Sequence, residues 1–189
     1  MTRKYDQIIV VDIECTCWPK LPPPGQEIDI IEIGLCRLDA ATGERLEKRS
    51  LLVRPERSTI SPFCAELTGL TQEQVDGGLA FAAACALLRR EYQTHRRVWA
   101  SYGDYDRKQF EAQCRAQAVE YPFSSSHLNI KTLFTLVQAL PHDLSLAQAL
   151  AHLALPLEGA HHRGGDDAWN AARILSHVLL ERRSANGAG

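Results

Sequence analysis

The chain has 189 residues, of which 45% are hydrophobic and 23% are charged, and its formal net charge at pH 7 is -2. This length and composition are typical of one globular domain, and the low net charge excludes a large basic surface for a long nucleic-acid duplex. The first residues, MTRKYDQ, lead directly into an apolar run, so we expect no signal peptide and no membrane-spanning helix. Six cysteines without a secretory signal or a recurring C-x2-C pair favour buried, reduced thiols in the cytoplasm.

Strand patterns come first along the chain, and strand and helix patterns alternate after them. Apolar runs predict strands at 7–14, 28–38, 44–53 and 97–101. Helical periodicity predicts helices near 62–69, 79–94, 105–118, 131–139, 145–154 and 167–183. We therefore expect an α/β fold with one mixed sheet covered by helices. A single domain should span residues 1–183, with 184–189 as a flexible C-terminal tail.

Two carboxylates lie within the first strand, in the segment IIVVDIECTCW. Because side chains alternate across a strand, Asp12 and Glu14 project from the same face near its C-terminal end. Their mutual repulsion is costly when they are desolvated, and a bound cation removes that cost. Hard oxygen ligands of this kind suit Mg²⁺ or Mn²⁺. From this pair alone, two solvated acids just beyond the sheet are an equally good interpretation.

A third acid begins the predicted helix in ASYGDYDRKQFEAQC. Asp106, Phe110 and Cys114 follow one another at i+4 steps, so Asp106 lies on the apolar stripe. Asp104 lies off this stripe and has the position of a helix cap. Asp106 is therefore predicted to face inward at the start of its helix, either as a ligand or as a first-turn acid.

The last helix offers a fourth acid, in HHRGGDDAWNAARIL. Helical spacing places Asp167 on the inward face and Asp166 on the outward face. Upstream, Gly164 and Gly165 are predicted to form a flexible turn that follows His162. A histidine beside an inward acid is a candidate general base, although a surface histidine is the alternative.

Three segments in order, VVDIECTCW, SYGDYDRKQF and HHRGGDDAWNAARIL, resemble the DEDDh 3′–5′ exonuclease superfamily of polymerase proofreading subunits and ribonuclease T. The resemblance implies a ribonuclease H-like mixed β-sheet flanked by α-helices. Further segments, including SPFCAELTGLTQEQVD and LNIKTLF, are similar to exoribonucleases that trim histone mRNA and small RNAs, and to bacterial relatives of sporulation inhibitors. The similar segments cover most of the chain, so we expect no separate nucleic-acid-binding domain within it.

The resemblance assigns chemistry to the residues that match the motif. It implies two divalent ions per active site, Mg²⁺ or Mn²⁺, held by Asp12, Glu14, Asp106 and Asp167, with His162 as general base. The implied partners are single-stranded 3′ ends, with RNA favoured, and the implied product is a 5′-nucleoside monophosphate. DNA or short oligonucleotides are an alternative substrate, and a non-catalytic regulatory protein on the same fold is a further one. The oligomeric state stays open.

Candidate substrate contacts come partly from the resemblance and partly from residue type. The resemblance places near the terminal nucleotide the residues Cys15, Thr16, Leu67, Thr68 and Gly69. Residue type adds two aromatic side chains that could stack on a base, Tyr105 and Phe110, and one phosphate-binding candidate, Arg163. Core packing is the alternative for Leu67 and Phe110, and a solvated side chain is the alternative for Arg163.

Overall fold

The computed structural model describes residues 4–186 and contains one mixed sheet with helices on both faces. The strands are β1 (Gln7–Cys15), β2 (Ile30–Asp39), β3 (Arg45–Leu52), β4 (Val98–Ser101) and β5 (His127–Asn129). The helices are α1 (Pro62–Thr68), α2 (Gln72–Asp76), α3 (Phe81–Glu91), α4 (Tyr105–Ala116), α5 (Ile130–Val137), α6 (Leu146–His152) and α7 (Gly164–Asn186). The predicted fold class is therefore confirmed.

The sheet has the order β3-β2-β1-β4-β5, so β1 lies at its centre. β1 runs antiparallel to β2 and parallel to β4, while β3 and β5 complete the edges. The alternation of β1 side chains divides the core into two. Ile9, Val11 and Ile13 pack with α3 and α4, whereas Ile8 and Val10 pack with α5, α6 and α7.

Two short elements, α2 and β5, were not predicted from the sequence, and several predicted boundaries differ from the observed ones by two or three residues. α7 continues to Asn186, so residues 184–186 of the predicted tail are helical, and 187–189 lie outside the described residues. Within the part of the chain that the structure describes, no helix is long and apolar enough to cross a membrane. All six cysteines are free thiols, and all but Cys17 are buried.

The start of α7 lies directly against β2, which corrects the predicted flexible turn at Gly164 and Gly165. Both glycines belong to the first turn of the helix. A Cβ atom at Gly34 of β2 would overlap the backbone of Gly164, so the helix can approach the strand only because Gly34 lacks a side chain. This close approach brings the first turn of α7 to the carboxylates of β1.

Candidate active site

The end of β1 places two acids beside each other on one face of the sheet. Glu14 is 9% exposed, and Asp12 is half-buried. Among residues 4–186, no protein hydrogen bond reaches either carboxylate, so their oxygens remain available to a ligand. Buried carboxylates without such bonds are unusual, because buried polar groups are normally paired.

α4 brings the third acid to the same place. Asp106 is 5% exposed, and its Oδ1 accepts a hydrogen bond from the Ile13 N–H at 3.1 Å, which joins the first turn of α4 to β1. Asp104 behaves differently: its side chain is 42% exposed and pairs with Arg107 at 3.3 Å. The helical stripe therefore distinguished the inward acid from the outward one correctly.

α7 supplies the fourth acid and a pair of histidines. Asp167 is buried and Asp166 faces outward, as helical spacing predicted, and Asp166 pairs with Lys48. The Asp167 carboxylate accepts the main-chain N–H of His162 at 2.8 Å and contacts Nδ1 of His161 at 3.0 and 3.1 Å. The two imidazole rings stack with their centroids 4.0 Å apart.

The four predicted acids meet around one cavity of about 230 Å³. Carboxylate oxygens of Asp12, Glu14 and Asp167 all lie within 4.8 Å of one another, and Asp106 lines the same cavity. The complete lining is Asp12, Ile13, Glu14, Tyr102, Tyr105, Asp106, Leu146, His161, His162 and Asp167. Residues up to 155 positions apart in the sequence, from Asp12 to Asp167, thus form one site.

The electrostatics of this cluster are those of a cation site. Burial, followed by the charges of Asp106 and Asp167, raises the pKa of Asp12 well above its ordinary value. Burial and the charges of neighbouring acids raise the pKa of Glu14 to about 8, and burial raises that of Asp106 to about 6. A divalent cation among these oxygens relieves both the desolvation and the repulsion. An all-carboxylate donor set fits Mg²⁺ or Mn²⁺.

Two residues beside the cavity were not among the site residues predicted from the sequence. His161 contacts Asp167 through its ring, and only the histidine pair in HHRGGDD could have indicated it. Glu32 of β2 lies opposite Glu14 in the strand register and is wholly buried. An acid within the apolar run IDIIEIG was the same signal that marked Asp12 and Glu14.

Glu32 faces the start of α7. Its Oε2 accepts the Gly164 N–H at 3.0 Å, and its two oxygens accept bonds from Arg163 at 3.3 Å each. Ser50 also hydrogen-bonds this carboxylate. Glu32 therefore anchors the segment that carries His162. Arg163, predicted as a phosphate contact, is engaged by Glu32 in this structure.

The predicted substrate contacts divide by exposure. Tyr105 lines the cavity and is 55% exposed, and Leu67 on α1 is 38% exposed, so both side chains are accessible to a base. Phe110 is wholly buried against Phe81 and Phe123, which corrects the prediction that it stacks on a base. Core packing, the alternative interpretation, explains this side chain.

The remaining predicted contacts have structural roles in the described conformation. The Thr16 hydroxyl, predicted to lie near the terminal nucleotide, is buried; it shares a hydrogen bond with Ser58 Oγ and accepts one from the Asp29 N–H, both at 2.9 Å. Thr68 is buried and donates to a main-chain carbonyl within α1. Cys15 is buried, and Gly69 ends α1 with φ +70°.

A carboxylate-lined cavity at the end of the central strand is the kind of site at which two-metal enzymes, nucleases among them, bind divalent ions. Residues 9–175 match the family described as Exonuclease, of the RNase T type, and the chain belongs to this family. It is 31% identical to human "3'-5' exoribonuclease 1", over 94% of this chain and 53% of that protein. It is 26% identical to the Drosophila melanogaster "3'-5' exonuclease Snipper", over 95% of this chain and 71% of that protein.

Solved structures agree with this assignment. The nuclease domain of 3'hExo, described as a DEDDh family member bound to rAMP, superposes with a TM-score of 0.85 at 29% identity, over 94% of this chain and 93% of that one. A 3'-exonuclease recognising a histone mRNA stem-loop has a TM-score of 0.83 at 29% identity, over 95% of this chain and 65% of that one. The predicted resemblance is confirmed. This chain spans about half the length of the mammalian proteins named 3'-5' exoribonuclease 1 that it matches.

Proposed function

We propose that this protein is a divalent-metal-dependent 3′–5′ exoribonuclease that releases 5′-nucleoside monophosphates from single-stranded RNA. The observation that carries the proposal is the convergence of Asp12, Glu14, Asp106 and Asp167 on one cavity beside a histidine pair. Similarity to proteins named exoribonucleases supports RNA as the substrate. The six free thiols support a reducing compartment such as the cytoplasm.

The four carboxylates would hold two Mg²⁺ or Mn²⁺ ions. Such ions, when bound, lower the pKa of water and offset the negative charge on a phosphate and its leaving oxygen. Asp106 is held to β1 through the Ile13 N–H, and Asp167 is held by the His162 N–H, so two of the four ligands are fixed before any ion binds. This preorganisation reduces the cost of assembling the site.

His162 would accept the proton of the attacking water. Burial, followed by the charge of His161, lowers the pKa of His162, so its imidazole is neutral near pH 7 and able to take a proton. The contact between His161 and Asp167 fixes the neighbouring ring, on which the imidazole of His162 stacks. Tyr105 and Leu67 offer accessible surfaces for the terminal base.

The test is degradation of matched 5′-labelled RNA and DNA strands in Mg²⁺, in Mn²⁺ and in EDTA. We expect a ladder that shortens from the 3′ end, release of 5′-monophosphates, faster loss of RNA than of DNA, and no reaction in EDTA. Activity that persists in EDTA would overturn the metal-dependent mechanism. DNA cleaved faster than RNA would make DNA the substrate, and binding without cleavage in either metal would favour a non-catalytic role.

His162→Ala and His161→Ala form a matched pair for the proton-acceptor role. We expect a loss of about 10²-fold or more in kcat for His162→Ala, since general-base catalysis contributes about 10²–10⁴-fold. His161→Ala should cost less. The reverse order would transfer the role to His161.

A further inference from the structure

A cavity lined by acids repels the RNA that it is proposed to cut, so basic side chains at its edge are informative. Two basic side chains lie beside this cavity: Arg163, next to the cavity-lining His162, and Lys131, whose Nζ is near the cavity-lining Tyr102. Arg163 is already paired with the buried Glu32. In the part of the chain that the structure describes, Lys131 has no ion pair.

Lys131 lies close to the cavity on the side opposite Arg163. It is the second residue of α5, which follows the edge strand β5, whereas Arg163 precedes α7 near β2. Its Nζ lies 5.6 Å from the ring centroid of Tyr102, a cavity-lining residue. A Cβ atom at Gly103 would lie 3.8 Å from the same nitrogen, so the ammonium group stands over the loop that leads to Asp106.

The surroundings of Lys131 hold this charge in place without neutralising it. The Tyr102 hydroxyl donates to the carbonyls of Leu144 and Ser145, at 3.0 and 3.3 Å, which fixes the ring beneath the ammonium group. A cation–π contact orients a lysine but leaves its three N–H donors available. An unpaired ammonium group at the edge of an acidic cavity is suited to bind a phosphate.

We infer that Lys131 binds the phosphate immediately upstream of the scissile one and so recognises the polynucleotide backbone rather than the terminal nucleotide. This inference rests on the proposed function and adds a substrate contact to it. The acids and their ions would engage the scissile phosphate, and Lys131, displaced from them across Tyr102 and Gly103, would engage its neighbour. A substrate with only one phosphate should therefore gain nothing from Lys131.

Two dinucleotide substrates distinguish a contact to the scissile phosphate from a contact to the phosphate upstream of it. UpU contains only the scissile phosphate, whereas pUpU adds one phosphate on its upstream side. For Lys131→Ala we expect kcat/KM to fall about 10-fold with pUpU and less than twofold with UpU. Lys131→Arg should restore most of the difference. Lys108→Ala removes an exposed lysine of helix α4 and should change the rate with neither substrate.

Salt dependence gives a second readout that loss of structure would not imitate. For a single strand, each lysine–phosphate contact makes the negative slope of log affinity against log salt concentration steeper by about 0.7. For a labelled U10 strand bound in Ca²⁺, Lys131→Ala should reduce that slope by this amount, while Lys108→Ala leaves it unchanged.

The outcomes distinguish the inference from the function on which it rests. Equal losses with UpU and pUpU, or no loss with either, would overturn the role of Lys131 while leaving exonuclease activity intact. A parent protein that cleaves no nucleic acid in Mg²⁺ or Mn²⁺ would overturn the proposed function. Binding to U10 would then still test the phosphate contact of Lys131. An unchanged affinity and an unchanged salt slope in Lys131→Ala would refute that contact.

Discussion

Replacing Glu14 by glutamine should stabilise the metal-free protein. Burial and the neighbouring acids raise the pKa of Glu14 from 4.5 to about 8, so at neutral pH the folded state must bind a proton that the unfolded state releases. Each tenfold step in proton affinity corresponds to about 1.4 kcal/mol, and pH 7 lies about 2.5 pH units above the unfolded-state value, which gives roughly 3 kcal/mol. Glutamine carries no charge and avoids this cost.

The pH dependence has a definite sign. A carboxylate whose pKa is raised on folding destabilises the protein only at pH values at which that group is ionised in the unfolded chain. The advantage of Glu14→Gln should therefore vanish below pH 4.5, grow between pH 4.5 and about 8, and remain constant above that. Equilibrium urea unfolding in EDTA at a series of pH values measures this difference.

Glu32→Gln is the matched control, because it neutralises a second buried acid of the same sheet. The Glu32 carboxylate accepts hydrogen bonds from Arg163 and Gly164, so its neutralisation should cost about 2 kcal/mol rather than add stability. A Glu14→Gln protein no more stable than the parent in EDTA at pH 7 would refute the reasoning. So would a gain in stability that persists unchanged at pH 4.

Three other predictions concern the acids, the ions and the packing of α7. Asp106→Asn should lower kcat at least about 10³-fold with the fold retained by circular dichroism, whereas the exposed Asp104→Asn should stay within a few-fold; equal losses would mean that the wrong acid was assigned. Mn²⁺ should raise the melting temperature of the parent more than that of Asp106→Asn, because an ion that binds only the folded state stabilises it; equal shifts would place the ion elsewhere. Gly34→Ala should destabilise the protein by at least about 3 kcal/mol in urea unfolding, because its Cβ would overlap Gly164. Gly77→Ala is the control and should have a small effect, because the atom nearest to a Cβ at Gly77 is 3.5 Å away. A small effect of Gly34→Ala would refute the tight contact between α7 and β2.

Helical periodicity in the sequence correctly predicted which side chains of α4 and α7 face the core. The stripe formed by Asp106, Phe110 and Cys114 predicted that this acid faces inward, and all three residues are buried. The apolar spacing from Asp167 to Val178 likewise predicted the inward face of α7. These predictions succeeded because helix periodicity directly fixes which side chains share a face.

Elements without a repeating pattern were missed. β5 has three half-buried residues, His127–Asn129, which is too short for alternation to show. α2 has five residues, Gln72–Asp76, and its N-terminus has a capping box between Thr71 and Gln74. Its sequence signal lies in two polar residues rather than in an apolar stripe.

Contacts between distant segments could not be inferred from local pattern, and Glu32 is the clearest example. Its place in an apolar strand indicated a buried acid, but its partners, Arg163 and Gly164, lie about 130 residues further along the chain. The same approach of α7 to β2 requires Gly34, and it brings Asp167 to Asp12 and Glu14. Because the contact between α7 and β2 both anchors the histidine segment and completes the acid cluster, Gly34→Ala should reduce metal binding and stability together. Asp106→Asn keeps an Oδ1 acceptor for the Ile13 N–H and should reduce metal binding alone.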